Sequence, residues 1–284
     1  MKVSIITINY NNKFGLEKTI KSVINQTYKD IEYIVIDGGS TDGSYEIIQK
    51  YKDFIHYWVS EPDKGIYNAM NKGLEVASGE YCNFMNSGDC FFDNSVLTSI
   101  FSIDNQNLSD IIAGNTYWTE WVKAPSKVTF DYLFNGTICH QCTFIKRNLL
   151  LKYKYDENLK IVSDRKFFIQ VLINDNCTYE SKDVNVVVYD LDGYSANNRT
   201  LSELEYQGVL EDLIPSRILE DYGKRKVGAL FGTTYYEKLF LEIGKRQYKT
   251  YIYFFVSILM RFISLFKKSA RFIYLFPIKL KKND

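Results

Sequence analysis

The sequence predicts an α/β fold, with a mostly parallel sheet flanked by helices, and three observations support this. Short runs rich in β-branched and aromatic residues alternate with segments whose apolar residues recur at helical spacing. The intervals between runs suit right-handed strand–helix–strand crossovers. The first four runs also end in polar or acidic turns, and ligands of parallel sheets bind beyond the carboxyl ends of the strands. The same pattern therefore predicts a ligand crevice.

Four strands and three helices are predicted in the first part of the chain. The strands cover residues 2–7, 32–36, 55–59 and 81–85. The helices between them carry apolar stripes, which comprise Leu16, Ile20, Val23 and Ile24 in the first, Ile47, Ile48 and Tyr51 in the second, and Ile66, Met70, Gly73, Leu74 and Ala77 in the third. Asp42 is the predicted N-cap of the second helix, because its short acidic side chain can accept from free backbone N–H groups.

The four strands end in polar turns along one predicted edge of the sheet. These turns are Thr7-Ile8-Asn9, the turn that starts at Asp37, Glu61-Pro62-Asp63-Lys64 and Asn86-Ser87-Gly88-Asp89. A lone aspartate at a strand end most simply caps a turn, but four such turns on one edge weaken that explanation. The last turn is the most informative, because it joins a buried strand to one carboxylate, Asp89.

The pattern is less regular beyond residue 110. It predicts strands at 110–113 and 127–130, a loop entering a strand at 139–146, and a further strand at 178–190. Asp164 precedes an apolar helical pattern, which places it near a helix N-terminus. Residues 201–244 are predicted to be mainly helical.

Missing motifs exclude several enzyme classes. No Gly-x-Gly-x-x-Gly follows the first strand, which argues against a dinucleotide oxidoreductase, and no Gly-Lys-Ser/Thr phosphate loop is present. With two histidines in the chain, no Ser-His-Asp or Cys-His motif is recognisable. A strand-end carboxylate is instead a suitable seat for Mg²⁺ or Mn²⁺, which prefer oxygen ligands and phosphate. Such a cation on a diphosphate stabilises a departing nucleotide.

Composition predicts a globular protein with reduced thiols. The hydrophobic fraction of 46% is ordinary. Five cysteines, an odd number, and the absence of a signal-peptide pattern favour a cytoplasmic protein. Cys139-His140-Gln141-Cys142 resembles half of a zinc site, but no second pair with suitable spacing follows. The aromatic content of 16% fits either a Tyr-rich core or a surface that meets sugars or a membrane.

Charge is distributed unevenly along the chain. Residues 245–284 carry ten Lys or Arg and one acid, whereas the whole chain has 35 basic and 34 acidic residues. The body is therefore acidic, which argues against nucleic-acid binding. Residues 251–266 are aromatic and apolar, but Arg261 interrupts a run that is too short for a span. We expect the tail to lie on an anionic membrane surface; the alternative is a helical hairpin packed on the body or on a second subunit.

Several motifs, in order, resemble those of inverting family-2 glycosyltransferases. They are VSIITINYNN (3–12), VIDGGSTDGS (35–44), SEPDKGIYNAMNKGLEVASGEYCNFMNSGD (60–89), CHQCTFIKR (139–147), IVSDRKFFIQ (161–170) and YDLDGYSANN (189–198). The resemblance covers residues 1–200 and is closest to the branch that makes O-antigen and capsular polysaccharide. It implies a GT-A fold, with a Rossmann-like nucleotide-sugar-binding half at 1–105 and an acceptor-binding half at 106–200. A helical C-terminal region at 201–284 would follow.

The resemblance also implies roles for individual residues. The donor, a nucleotide-sugar that is expected to be UDP-linked, would be contacted by Thr7, Asn9, Asp37, Lys64, Asn86, Ser87 and Gly88. Asp89 would hold Mn²⁺ or Mg²⁺ on the donor diphosphate. Asp164 would be the catalytic base, its alternative role being an N-cap, and His140 and Gln141 would face the acceptor or the donor sugar. For His140 the alternative is an ordinary loop histidine.

The chain departs from the family pattern at several of these positions. Gly38 replaces the second Asp of the commoner Asp-Asp-Gly-Ser, and Ser163 replaces the Glu before the base. Asn86 and Gly88 replace two acids of the usual Asp-Ala-Asp-Asp, so Asp89 alone remains as a metal-binding carboxylate. Met70 stands where many relatives carry Arg.

The sequence thus predicts an inverting, hexosyltransferase-type enzyme, peripheral on the inner face of the cell membrane. Its acceptor would be a polyprenyl-diphosphate-linked glycan. Two alternatives remain open at this point. A nucleotidyltransferase on a related sheet would release pyrophosphate, and it usually shows a Gly-rich N-terminal loop that this chain lacks. A non-catalytic glycan-binding protein would not need both Asp89 and Asp164.

Overall fold

The computed structural model describes residues 1–101, 108–191 and 198–231. The chain divides into two compact units, Met1–Pro215 and Ser216–Asp284. The first unit contains the sheet and all predicted site residues. In the second, the described part is one helix.

In the described residues, nine strands form one sheet in the order β3-β2-β1-β4-β8-β6-β9-β5, with β7 paired to β6. Their bounds are β1 Val3–Asn9, β2 Ile31–Asp37, β3 Tyr57–Ser60, β4 Tyr81–Phe84, β5 Cys90–Phe91, β6 Ile111–Tyr117, β7 Trp121–Val122, β8 Thr143–Lys146 and β9 Tyr179–Val188.

The first four strands are parallel, as the sequence predicts. β1 pairs with β2 and with β4, and β2 pairs with β3. The register places Asn9 opposite Asp37 and Asp37 opposite Ser60, so the polar residues that end β1, β2 and β3 lie side by side. Every residue of β1 is buried, which is the pattern of a central strand with both faces covered.

The second half of the sheet is mixed. β8 lies antiparallel between β4 and β6, β9 is parallel to β6, and β5 is antiparallel to β9. The strand predicted at 127–130 is wrong. Thr129 instead caps the start of a helix at this position. Its hydroxyl accepts a hydrogen bond from the Tyr132 N–H, a backbone group that has no partner within the helix.

Helices flank the sheet. They are α1 Lys13–Ile24, α2 Ser44–Tyr51, α3 Ile66–Val76, α4 Val96–Ile100, α5 Phe130–Asn135, α6 Arg147–Tyr153, α7 Ser163–Asn174, α8 Arg199–Leu213 and α9 Ser216–Phe231, with short 3₁₀ helices at Lys52–Phe54 and His140–Cys142. α8 and α9 agree with the predicted helical region as far as residue 231. An ideal Cβ on Gly73 would lie 2.4 Å from Ile6 Cγ2, so glycine lets α3 pack closely on β1.

The predicted N-cap of α2 needs correction. The helix begins at Ser44 and Gly43 occupies the cap position, with φ of 95°. Asp42 lies one residue earlier, where its Oδ1 accepts from the Ser44 N–H and its Oδ2 from the Lys13 N–H. These two hydrogen bonds tie the start of α2 to the start of α1. Gly43, in its left-handed conformation, turns the chain between Asp42 and the helix.

Among the described residues no helix is both long and apolar enough to cross a membrane. The tail at 245–284, with its apolar segment 251–266, lies outside the described residues. Its predicted contact with a membrane stays a prediction.

Candidate active site

The turn after β4 is fixed by backbone contacts with β1 and by side chains near the start of α1. Met85 N–H donates to Ile6 and Ser87 N–H to Ile8. Gly88 has φ of 106°, a left-handed conformation that favours glycine. Three carbonyls of the turn are held by side chains: Asn12 Nδ2 donates to Ser87 O at 3.2 Å, Lys18 Nζ to Gly88 O at 2.9 Å, and Thr19 Oγ1 to Asp89 O at 2.6 Å.

Asp89 is the buried carboxylate of this turn. It is 3% exposed. Its Oδ1 accepts from the Asp190 N–H at 2.8 Å and its Oδ2 from Gln141 Nε2 at 3.1 Å. Burial raises the pKa of Asp89 to about 6, although these hydrogen bonds act in the opposite direction. The folded protein thus holds a carboxyl group that accepts a proton more readily than an ordinary aspartate.

A second carboxylate lies beside the turn. An ideal Cβ on Gly88 would lie 2.3 Å from Asp190 Oδ2, so Asp190 occupies the space that a side chain at position 88 would need. Asn86 Oδ1 is buried and has no hydrogen-bond partner. These oxygens are of the type that Mg²⁺ and Mn²⁺ prefer. The described residues contain no group of three or more His, Cys, Asp or Glu that could hold a metal, so a cation here would need diphosphate oxygens as well.

The ends of β1 and β2 form a second polar group. Asp37 is fully buried, and its carboxylate accepts from Asn9 Nδ2 at 2.7 Å, Ser40 Oγ at 2.6 Å and Ser60 Oγ at 2.6 Å. The Asn9 Oδ1 atom is buried without a hydrogen-bond partner. The carboxylate therefore fixes the shape of the turn, and its predicted contact with the donor stays a prediction.

Two predicted donor residues have other surroundings. The fully buried Thr7 places its Oγ1 3.1 Å from Tyr33 Oη, inside the sheet core. Lys64 is exposed, and its backbone N–H donates to Asn68 Oδ1 at 3.1 Å. The hydrogen-bond network around Asp89 includes neither side chain, and their donor contacts stay predictions.

His140 and Asp164 are brought together from elements 24 positions apart. His140 Nδ1 lies 2.9 Å from Asp164 Oδ2, and the two side chains are 13% and 12% exposed. On the other side of the ring, Nε2 lies 3.3 Å from Asn86 Nδ2. Burial alone lowers the pKa of His140, but the hydrogen bond and charge of Asp164 outweigh it, so the pKa is raised.

The first turn of α7 holds Asp164 in place. Its Oδ1 accepts from the Arg165 N–H at 2.9 Å and lies 3.3 Å from Tyr67 Oη, which also donates to Ile161 O at 2.5 Å. The Arg165 guanidinium stacks 3.2 Å from the Tyr206 ring centre. An anion at the N-terminus of this 12-residue helix is favoured by the helix dipole.

Gln141 has a structural task in this arrangement. It is 4% exposed, its Nε2 donates to Asp89, and its carbonyl accepts from Asn83 Nδ2 at 2.8 Å. The family resemblance implies that Gln141 faces the acceptor or the donor sugar, and this stays a prediction. What the structure adds is that Gln141 orients Asp89.

Sequence reasoning missed several contributors, among them Lys18, Thr19, Tyr67 and Asp190. Lys18 and Thr19 lie in α1 and Tyr67 lies in α3, and no local sequence signal marks them as site residues. Asp190 stands inside a segment that resembles the family, so that segment could have drawn attention to it.

The family model for "Glycosyl transferase family 2" matches residues 4–162, which is more than half of the chain. The chain belongs to glycosyl transferase family 2. An uncharacterized glycosyltransferase of Mycobacterium tuberculosis (strain CDC 1551) is similar to this family 2 chain over most of its length. It is 27% identical over 260 residues, which cover 86% of this chain and 98% of the relative. A PGL/p-HBAD biosynthesis glycosyltransferase of Mycobacterium bovis is 27% identical over 218 residues, covering 72% and 81%.

Solved structures show the fold of this glycosyltransferase to be GT-A. S. aureus TarS 1–349 in complex with UDP-GlcNAc aligns with a TM-score of 0.58 at 20% identity, covering 70% of this chain and 61% of that chain. The mannosyltransferase PcManGT from Pyrobaculum calidifontis, in complex with GDP-Man and Mn²⁺, aligns with a TM-score of 0.54 at 17% identity, covering 66% and 56%. This chain therefore spans only about three fifths of each of these structures.

Proposed function

We propose that this glycosyltransferase moves a hexosyl group, with inversion, from a nucleotide-sugar to a lipid-linked glycan in surface polysaccharide biosynthesis. One observation carries the proposal. The turn that carries Asp89 and the buried carboxylate Asp164 are connected through Asn86 and His140 by contacts of 3.3 Å and 2.9 Å. This network fixes the proposed leaving-group site and the proposed base relative to each other, which favours a single displacement.

The residues would act as follows. Asp164 accepts the proton of the acceptor hydroxyl while the hydroxyl oxygen of the acceptor bonds to the anomeric carbon. The bond from that carbon to the diphosphate breaks, and its electron pair leaves with the nucleoside diphosphate. Asp89 and Asp190, together with diphosphate oxygens, would hold Mn²⁺ or Mg²⁺, which would supply positive charge to the leaving group. Asn9 and Asp37 would lie on the nucleotide side.

UDP is the proposed nucleotide. A TarS structure with UDP-GlcNAc supports it, whereas PcManGT was solved with GDP-Man and Mn²⁺. Thermal shifts measured with UDP-linked and GDP-linked sugars distinguish the two nucleotides.

Donor binding by the full chain tests the proposal. We expect a UDP-sugar with Mn²⁺ to raise the melting temperature by roughly 5–10 °C at 100 times Kd. Addition of an acceptor should release UDP and not pyrophosphate. Pyrophosphate release from a nucleoside triphosphate would instead indicate a nucleotidyltransferase. Binding of glycans without release of any nucleotide would indicate a non-catalytic protein.

The proposed acceptor is a polyprenyl-diphosphate-linked glycan at the inner face of the cell membrane. The basic, aromatic composition of residues 245–284 supports this, since such segments bind anionic headgroups at about 1 kcal/mol per Lys or Arg.

Deletion of residues 245–284 is expected to abolish sedimentation with anionic vesicles while UDP-sugar binding persists. Neutral vesicles serve as the control. A truncated protein that still sediments with anionic vesicles would show that the tail is not the membrane contact.

A further inference from the structure

His140 lies between two parts of the proposed machinery. Its Nδ1 is 2.9 Å from Asp164 Oδ2, and its Nε2 is 3.3 Å from Asn86 Nδ2 on the turn that carries Asp89. The side chain is 13% exposed. Both ring nitrogens thus face protein groups, whereas a residue that recognises a sugar would direct one of them to the ligand.

The chemistry of Asp164 fixes the role of Nδ1, and the protonation state of the ring fixes the role of Nε2. An ionised carboxylate only accepts hydrogen bonds, so His140 Nδ1 must donate to Asp164. In the neutral ring Nε2 is then an acceptor, and the Asn86 amide supplies its donor. Orientation of an imidazole at one nitrogen by a hydrogen bond at the other is the usual way to fix a tautomer.

The bond to His140 also fixes the carboxylate. Asp164 Oδ1 is held by the Arg165 N–H at 2.9 Å and lies near Tyr67 Oη, while Oδ2 has His140 as its partner. With His140 removed, the carboxylate can rotate about its bond to Cβ. A base that is misplaced by about 1 Å loses about 100-fold in rate.

We propose that His140 is a positioning residue that acts through Asp164 and couples it to the Asn86 turn. The inference rests on the proposed function, in which Asp164 is the base. We propose this role for His140 in place of the direct sugar contact that the family resemblance implies.

Two amide variants of His140 test the two ring nitrogens separately. The amide of Asn places its N–H₂ near the position of Nδ1, whereas the longer Gln places it near the position of Nε2. We expect His140→Asn to keep kcat within about 10-fold of wild type and His140→Gln to lower it about 100-fold. The KM values for donor and acceptor and the donor-induced thermal shift should be unchanged in both.

Other outcomes overturn the inference. A loss in His140→Asn with normal turnover in His140→Gln would assign the role to Nε2. A raised acceptor KM with unchanged kcat would indicate a sugar contact. Equal loss in both, or no loss in either, would show that the Nδ1 donor does not control the rate. Thermal melts check that each variant is folded.

A second pair of variants separates this inference from the proposed function. Tyr67→Phe removes the hydroxyl near Oδ1 and should lower kcat several-fold at unchanged KM, an independent test of carboxylate positioning. In an Asp164→Asn background, His140→Gln should cause no further loss, because both act through one group. If Asp164→Asn alone turns over normally, the base assigned in the proposed function is wrong, and the positioning role of His140 fails with it. If Asp164→Asn is inactive but the His140 losses are fully additive, only the positioning role fails.

Discussion

Asp164→Asn is expected to lower kcat by about 10²–10⁴ while donor binding stays at the wild-type level. The amide has nearly the shape of the carboxylate and keeps an oxygen for the Arg165 N–H, so the first turn of α7 should persist. His140 can take its other tautomer and accept from the new amide. What the variant lacks is a group that can receive the acceptor's proton.

The measurement is steady-state turnover together with donor-induced thermal shift. Asp175→Asn is the matched control, since Asp175 caps the far end of the same helix and pairs with Lys152 on the protein surface. It should keep wild-type turnover. Near-normal kcat in Asp164→Asn would show that another group is the base.

Asp89→Asn is expected to abolish Mn²⁺-dependent donor binding and, at neutral pH, to stabilise the fold. The pKa of Asp89 is raised from 3.8 to about 6 by burial. The folded state therefore binds the proton more tightly than the unfolded state does. The stability associated with the protonated form is present below pH 4 and is lost as the pH rises through 6. The charge then costs about 3 kcal/mol, at about 1.4 kcal/mol per pKa unit.

The free energy of unfolding of wild type and of Asp89→Asn, measured from pH 4 to 8, tests whether the substitution stabilises the fold. An uncharged Asn avoids this cost but loses part of the hydrogen bonding with Gln141, so we expect a net gain of about 1–2 kcal/mol at pH 7 and above. The gain should vanish near pH 4.

Asp110→Asn is the control, for which the opposite effect on stability is expected. The pKa of Asp110 is lowered, against the effect of burial, by hydrogen bonds from Thr178 and Lys146. That variant should therefore be less stable than wild type at neutral pH. If Asp89→Asn is destabilised at every pH, the hydrogen bonds to the carboxylate outweigh its burial.

The sequence alone determined the parallel half of the sheet. β1, β2, β3 and β4 were predicted within a few residues, because buried strands with helical stripes between them leave a local pattern in the chain. The edge at which their polar turns gather also followed, since parallel strands joined by right-handed crossovers end on the same side. Asp37 and Asp89 could therefore be selected as candidate site residues before any contact was known.

In the mixed half of the sheet the sequence predicted β6, β8 and β9, but tertiary structure alone decided the pairing of the strands there and the connections within the site. Short antiparallel strands such as β5 and β7, each two residues long, have too little pattern to detect, and their pairing depends on distant partners. The contact of His140 with both Asn86 and Asp164 joins positions 54 and 24 residues apart. Gln141 and Asp190 meet Asp89 in the same way, across 52 and 101 residues. Residue spacing describes one element at a time, whereas these hydrogen bonds exist only when separate elements have packed in register.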